Sequence, residues 1–237
     1  MKNKNLILFL LIISAAALFS SESSASEAGK FLQNNSYLYI NNPNSKKASA
    51  EIYGDHKDMK NMETAVLGAG CFWCVEAIYQ KLKGVISVEP GYAGGKVPNP
   101  TYEAVCTGKT GHAEVAKIVF DSTKISFGDI LNVFFEIHDP TTLNKQGNDI
   151  GEQYRSVIFY ADEKQKKIAE ETIARLEKEK IYDAPIVTEV APLTTFYPAE
   201  NYHKNYYENN KDKPYCQFVI TPKVKKFEKK FSGKVMK

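Results

Sequence analysis

From residue 64 to residue 190 the apolar residues of this chain change period repeatedly, and the order of those changes limits the available folds more than any other feature. Residues 64–67 read as a short strand, and Gly68-Ala69-Gly70 as a turn with close backbone approach. Residues 71–83 carry Phe72, Val75, Ile78 and Leu82 at helical spacing, and Gly84 stops the run. Residues 85–92 read as a strand, 94–111 as a long loop rich in Gly and Pro, and 113–120 as a strand of mixed polarity. Ser126 with Asp129 is a capping signal, and Phe127, Ile130, Leu131, Phe134 and Phe135 form one apolar stripe behind it. A strand over 156–160, a charged helix over 162–180 and a strand over 186–190 follow. The order β-α-β-β-α-β, then α and β, predicts an α+β fold: a ferredoxin-like α/β plait (split β-α-β) core with a mixed sheet and loop-rich additions. Such a fold hosts many activities, so function has to be argued from the site.

The first 25 residues stand apart. Lys2 and Lys4 precede an apolar run over 6–19, and small residues lead to Ala25, the three parts of a secretory signal peptide. As a helix the run spans about 21 Å, short of the roughly 30 Å hydrocarbon core of a bilayer. Cleavage after Ala25 and export, in the style of a bacterial periplasmic protein, is the expectation; a tether through an uncleaved N-terminal helix is the alternative. Residues 26–62 are rich in Asn, Ser and Lys and read as a flexible polar linker. The ordered domain is expected over 63–220. Residues 221–237 form a Lys-rich tail, with Val224, Phe227 and Phe231 spaced for an amphipathic helix lying on the domain. Lys plus Arg is 31 against 28 Asp plus Glu, a net charge of +3 that is too small to indicate nucleic acid. The chain has 4 cysteines, too few for a disulfide scaffold, so each needs its own explanation.

Cys71 stands where a strand turns into a helix. Free N–H groups and the helix dipole favour an anion there, so a stabilised thiolate is expected. Cys71 and Cys74 make a C-x-x-C pair on one helix face. Thioredoxin-like proteins use such a pair, but their β-α-β-α-β-β-α order is not visible here. Zinc would need two more soft ligands, and Cys106, Cys216 and His112 show no paired spacing, so no metal site is expected. Phe72 and Trp73 either join the core or line an apolar pocket suited to a methyl or thioether group. In the strand over 113–120, Glu114 shares a face with Ala116, Ile118 and Phe120. A carboxyl group held among apolar side chains has a raised pKa, which suits a general acid; a solvated residue at a strand end is the plain alternative. Cys106, just before Gly108, reads as a buried, inert thiol.

Gly70-Cys71-Phe72-Trp73, Gly91-Tyr92-Ala93-Gly94-Gly95, Pro100-Thr101-Tyr102, Gly111-His112-Ala113-Glu114, His138-Asp139-Pro140, and Gln146-Gly147-Asn148-Asp149 with Gln153-Tyr154-Arg155-Ser156 together resemble the peptide methionine sulfoxide reductase A family over roughly residues 64–220. The resemblance implies that Cys71 attacks the sulfoxide sulfur and that Glu114 protonates its oxygen. It implies that Tyr102 and Tyr154 donate hydrogen bonds to that oxygen, that Asp149 completes the polar side, and that Phe72 and Trp73 cage the methyl group. The substrate implied is methionine S-sulfoxide, free or in proteins. No cofactor is implied beyond an external dithiol such as thioredoxin, and a monomer with no nucleic-acid partner is expected, off the membrane once the signal is cleaved. Cys74 and Cys216 are both candidate resolving thiols, Cys216 from a mobile tail. His203, in Tyr197-Pro198-Ala199-Glu200-Asn201-Tyr202-His203, is either a support for the site or a plain surface histidine. A C-x-x-C disulfide oxidoreductase and a non-catalytic metal or partner-binding module are the competing readings; the first has no use for Glu114, Tyr102 and Tyr154, and the second none for Cys71 at a helix start without paired ligands.

Overall fold

The computed structural model describes residues 61–236. The expected signal peptide and nearly all of the polar linker lie outside the described residues, as do the export or tethering they imply. Among the described residues no helix is long and apolar enough to cross a membrane.

Strand β1 (Met62–Ala69) leads into helix α1 (Phe72–Tyr79), then β2 (Val85–Ala93), α2 (Tyr102–Cys106), β3 (Ala113–Asp121) and α3 (Phe127–Ile137). A hairpin of β4 (Lys145–Gln146) and β5 (Asp149–Ile150), β6 (Ser156–Tyr160), α4 (Glu163–Lys178), β7 (Glu189–Pro192) and β8 (Phe196–Pro198) come next. The chain ends in α5 (Tyr206–Asn209), a π-helical turn (Cys216–Ile220) and α6 (Thr221–Lys230). Six strands form one sheet in the order β7-β6-β1-β3-β2-β8. β6 and β7 run parallel and the other neighbours antiparallel, so the sheet is mixed and the class is α+β.

Strand parity sets the two faces. Leu67 of β1, Ala116, Ile118 and Phe120 of β3 and Ile158 of β6 point to one face, where Val75 and Ile78 of α1 and Ile130, Leu131 and Phe134 of α3 cover them. Val66, Val115, Val157 and Phe159 form a smaller cluster on the other face, under Leu193 and Phe196. Helix α3 begins as its sequence predicts. The Asp129 amide donates to Ser126 Oγ at 3.1 Å, and the Ser126 amide donates back to Asp129 Oδ2 at 3.3 Å.

Four expectations need correction. Helix α1 ends at Tyr79, because the Lys81 and Leu82 amides bond three residues back and tighten the chain into turns before Gly84. The loop over 94–111 contains α2, capped where Thr101 Oγ1 accepts from the Ala104 amide. The strand expected over 186–190 starts at Glu189, since the Val187 amide is committed to the Pro140 carbonyl at 2.9 Å. Cys216 does not lie in a mobile tail. It is fully buried at the start of the π-helical turn, where Cys216, Ile220, Val224 and Phe227 lay one continuous stripe into the core. The lysines of α6 face outward, Lys226 and Lys230 toward Glu136.

Candidate active site

The turn between β1 and α1 creates the site. Gly70 has φ +84, and a Cβ there would lie 2.7 Å from the Gln146 side chain, so only glycine lets the chain turn this tightly against the β4 segment. Cys71 therefore becomes the N-cap of α1, 6% exposed, with Cys74 one turn on and also buried. Parity on β3 turns Glu114 inward beneath the same helix end, where it is 2% exposed. Its Oε2 accepts the Phe72 amide hydrogen at 3.1 Å.

That bond corrects the expectation of a stabilised thiolate. The helix-start amide is given to a carboxyl group from another strand, and Cys71 makes no side-chain capping bond. Burial pushes the Cys71 thiol well up, its hydrogen bond with Cys74 and the nearby Glu114 add to the rise, and the Tyr215 hydroxyl pulls back. Cys74 moves the other way, chiefly because Cys71 hydrogen-bonds to it. Burial pushes Glu114 up to about 8 against the pull of the Phe72 amide, with Asp149 and Cys74 adding to the rise. The buried carboxyl expected from alternation is thus present, and it holds a proton at neutral pH.

The other named residues gather around this pair. Asp149 on β5 accepts the Tyr215 hydroxyl at 2.7 Å. Tyr154 ends a short 3-10 turn (Glu152–Tyr154), and Tyr102 opens α2. Burial, then the charge of Glu114, raises both phenols, so both remain hydrogen-bond donors. Phe72 is fully buried, its ring against Tyr92, Tyr102 and His203. Trp73 is half-buried. Its indole lies flat on Tyr206, centroids 3.7 Å apart and planes 7° from parallel, and its Nε1 donates to His203 Nδ1 at 3.1 Å. His203 is fully buried rather than a surface residue. The indole bond leaves the imidazole proton on Nε2, 3.6 Å from Glu200 Oε2. Glu200 in turn accepts from the Tyr92 hydroxyl at 2.8 Å and from the Tyr102 amide at 2.9 Å.

Tyr215, Tyr206, Glu200 and Tyr92 were missed as site residues. All four lie in or beside segments that carry the resemblance or a candidate residue: Tyr92 in the motif over 91–95, Glu200 in the segment that ends at His203, Tyr206 just after it, and Tyr215 next to Cys216. Cys216 joins Cys71 and Cys74 in one buried cluster, and all three thiols are free. Cys106 is not buried. The buried residue of α2 is Val105, and the next position on a helix turns outward, leaving Cys106 exposed beside the Tyr102 side chain. Among the described residues no group of three or more His, Cys, Asp or Glu is placed to hold a metal ion.

Against known proteins, residues 63–235 match the family described as peptide methionine sulfoxide reductase. A relative named "Peptide methionine sulfoxide reductase MsrA" from Saccharolobus solfataricus is 62% identical over 174 residues, covering 73% of this chain and 97% of the relative. Among solved structures, the reduced form of Mxr1 from Saccharomyces cerevisiae is similar with TM-score 0.61 and 33% identity, covering 67% of this chain and 91% of that one. Methionine sulfoxide reductase A of Corynebacterium diphtheriae is similar with TM-score 0.58 and 35% identity, covering 67% and 79%.

Proposed function

The chain belongs to the peptide methionine sulfoxide reductase family and is a peptide-methionine (S)-S-oxide reductase, and from that premise we propose how its own residues divide the work. Glu114 is the proton donor and Cys71 the nucleophile. The observation that carries this is the carboxyl group of Glu114, buried and protonated beneath the N-cap that bears the Cys71 sulfur.

A sulfoxide oxygen leaves sulfur poorly until it is protonated. The substrate methyl group sits against Phe72 and Trp73, and the oxygen faces Glu114 and the hydroxyls of Tyr102 and Tyr154, with Asp149 on the same side. Glu114 gives its proton to the oxygen as the Cys71 sulfur attacks. The thiol proton of Cys71 passes to the carboxylate left behind, so Glu114 ends as it began. The bond between the substrate sulfur and its hydroxyl then breaks as that hydroxyl passes to the Cys71 sulfur, so methionine leaves as the thioether, reduced by two electrons, and Cys71, oxidised by two, is left as a sulfenic acid. A second thiol then displaces that oxygen as water and forms a disulfide, which an external dithiol of the thioredoxin type reduces. Cys74 and Cys216 both serve as resolving thiols. Cys74 is one turn away and lies in the same buried cluster as Cys71, so it reaches the sulfenic acid with little rearrangement. Cys216 follows by exchange. No prosthetic group enters this sequence, and the substrate is free or peptide-bound.

We place the protein outside the cytoplasm, in a bacterial periplasm, repairing exported proteins as a monomer; the signal-like residues 1–25 support this. For the fold, the run β6-β1-β3-β2 with α1 and α3 as its crossovers supports the split β-α-β plait.

The test supplies each epimer of a methionine sulfoxide compound with dithiothreitol. Only the S epimer is expected to be consumed, and Cys71→Ser to abolish its loss. Turnover surviving in that variant, or equal use of both epimers, breaks the reading. Peptide mapping of oxidised enzyme reads the disulfides, and full thioredoxin-linked turnover in both Cys74→Ser and Cys216→Ser excludes both as resolvers.

A further inference from the structure

Besides Glu114 on β3, α1 buries a carboxyl group of its own, Glu76, 1% exposed, and nothing in the reaction above uses it. Its Oε1 accepts the Asn205 amide hydrogen at 2.9 Å, and the Tyr206 amide faces the same group. Its Oε2 is buried with no hydrogen-bond partner. A buried carboxyl group with one oxygen unmatched is costly, so something must be gained from it. The gain is visible one residue further on. Asn205 adopts the left-handed conformation, φ +53, which asparagine takes more readily than other side-chain-bearing residues and which bends the chain there. It is held from α1 twice, by Glu76 and by Gln80, whose Nε2 donates to Asn205 Oδ1 at 2.7 Å. The bend at Asn205 turns Tyr206 flat onto Trp73. Thus the helix that carries Cys71 and Trp73 also carries the clamp for the ring that covers Trp73. Burial pushes Glu76 up to about 7 against the pull of the two amides and Lys204.

We propose that Glu76 is a positioning residue for the substrate cage: by holding the Asn205 and Tyr206 amides it fixes the Tyr206 ring against Trp73, and with it the indole's place against the bound methyl group. This rests on the reading of Trp73 as a wall of that cage.

Trp73 is the chain's 1 tryptophan, so its emission reports the stack directly in the full-length, substrate-free enzyme. In folded Glu76→Ala we expect altered tryptophan emission and a KM for methionine S-sulfoxide raised about tenfold, with kcat within about twofold. Glu76→Gln keeps an acceptor for the two amides and is expected to restore both readouts. A general loss of stability would not move KM and emission together while sparing kcat. Unchanged emission in Glu76→Ala, changed emission with unchanged KM, or a Gln variant as impaired as Ala each overturns the proposal. If Glu76→Ala does not fold, Tyr206→Leu removes the ring and leaves the carboxyl group and both amides in place, with the same two expectations and the same overturning results. Trp73→Phe separates the two levels. If it raises KM while Glu76→Ala does not, only the role of Glu76 fails; if it leaves KM unchanged, the cage itself does.

Discussion

Helices α1 and α3 pack on the same face of the sheet, yet α3 caps itself and α1 does not. In α3, Ser126 and Asp129 exchange hydrogen bonds across the first turn, and Phe127, Ile130, Leu131, Val133, Phe134 and Phe135 are all buried apolar residues. In α1 the N-cap is Cys71, with no side-chain capping bond and no acidic residue in the first turn. Its free amide is matched instead by Glu114, 42 positions away, and its buried face mixes Phe72, Val75 and Ile78 with Cys74 and Glu76. Helix α3 is built to be stable by local means. Helix α1 carries groups that burial opposes, and those are the groups chemistry requires. The two regions should therefore respond to mutation in opposite ways, α1 in activity and α3 in stability.

The largest expected effect tests the α1 side. Glu114→Gln keeps an acceptor for the Phe72 amide but has no proton to donate at carboxyl strength. It should lower kcat/KM by about 10²–10⁴-fold, the usual contribution of a general acid, while the enzyme stays folded. Steady-state rates with one sulfoxide epimer and dithiothreitol read this. A loss of less than about tenfold would remove Glu114 from proton transfer.

The same residue sets two pH dependences. With its pKa at about 8, the reactive protonated form is present below pH 8 and lost above it, so kcat/KM should fall on the alkaline side of pH 8. Stability runs with the sign of a raised acid. From about pH 4.5 to about pH 8 the folded protein keeps a proton that the unfolded chain releases, so stability declines across that window as pH rises. Glu76, raised to about 7, adds to the decline over the lower part of the range. Denaturant midpoints across this range should therefore fall less steeply in Glu114→Gln than in the parent. An equal slope would mean that burial does not oppose the carboxylate.

The contrast between the helices also explains what was legible in the sequence. Helix α3 was visible with its cap and stripe, because a helix that stabilises itself writes the reason into adjacent residues. The inward turn of Glu114 was visible too, since alternation needs only the strand that carries it. What α1 does with its first amide was not visible, because the partner sits on β3 and no periodicity links them. The expected thiolate at Cys71 failed for that reason. Helix α2 is five residues long with Val105 as its buried residue, too short to show a period. Strand β8 is three residues long and exists by pairing with β2, where a Cβ on Gly91 would sit 2.4 Å from the Phe196 ring. Cys216 looked mobile because lysines dominate the tail that follows it, yet one stripe through Ile220, Val224 and Phe227 anchors it in the core. Motif resemblance added Tyr102, Asp149 and Tyr154 to the site, where local patterns reached only the cysteines, Glu114, Phe72 and Trp73.

On the α3 side the next effect down is in stability. Phe134 is fully buried beneath the sheet, and Phe134→Ala leaves a cavity worth about 3–5 kcal/mol. Chemical denaturation should show that loss. In the fraction that remains folded, kcat/KM should stay within about twofold, since Phe134 is not among the residues that gather around Cys71. A tenfold fall in activity would show that packing under α3 helps to hold the Cys71 turn, and the separation of the two regions would fail.

The smallest effect is the most specific. Ser126→Ala removes the hydroxyl that accepts the Asp129 amide and leaves the first turn of α3 short of one partner. Caps of this kind contribute about 1 kcal/mol. Asp129 retains a second tie, to Lys234 at 2.6 Å, so the helix start is loosened but not released. Ser126→Asp offers the same acceptor, with a charge that the helix N-terminus favours, and should return most of the lost stability. Neither variant should alter kcat/KM or the emission of Trp73, because the Ser126 and Asp129 side chains hydrogen-bond to each other and to Lys234, not to α1. If Ser126→Ala leaves the denaturation midpoint where it was, α3 is held by its buried face alone, and its self-capping is no longer what separates it from α1.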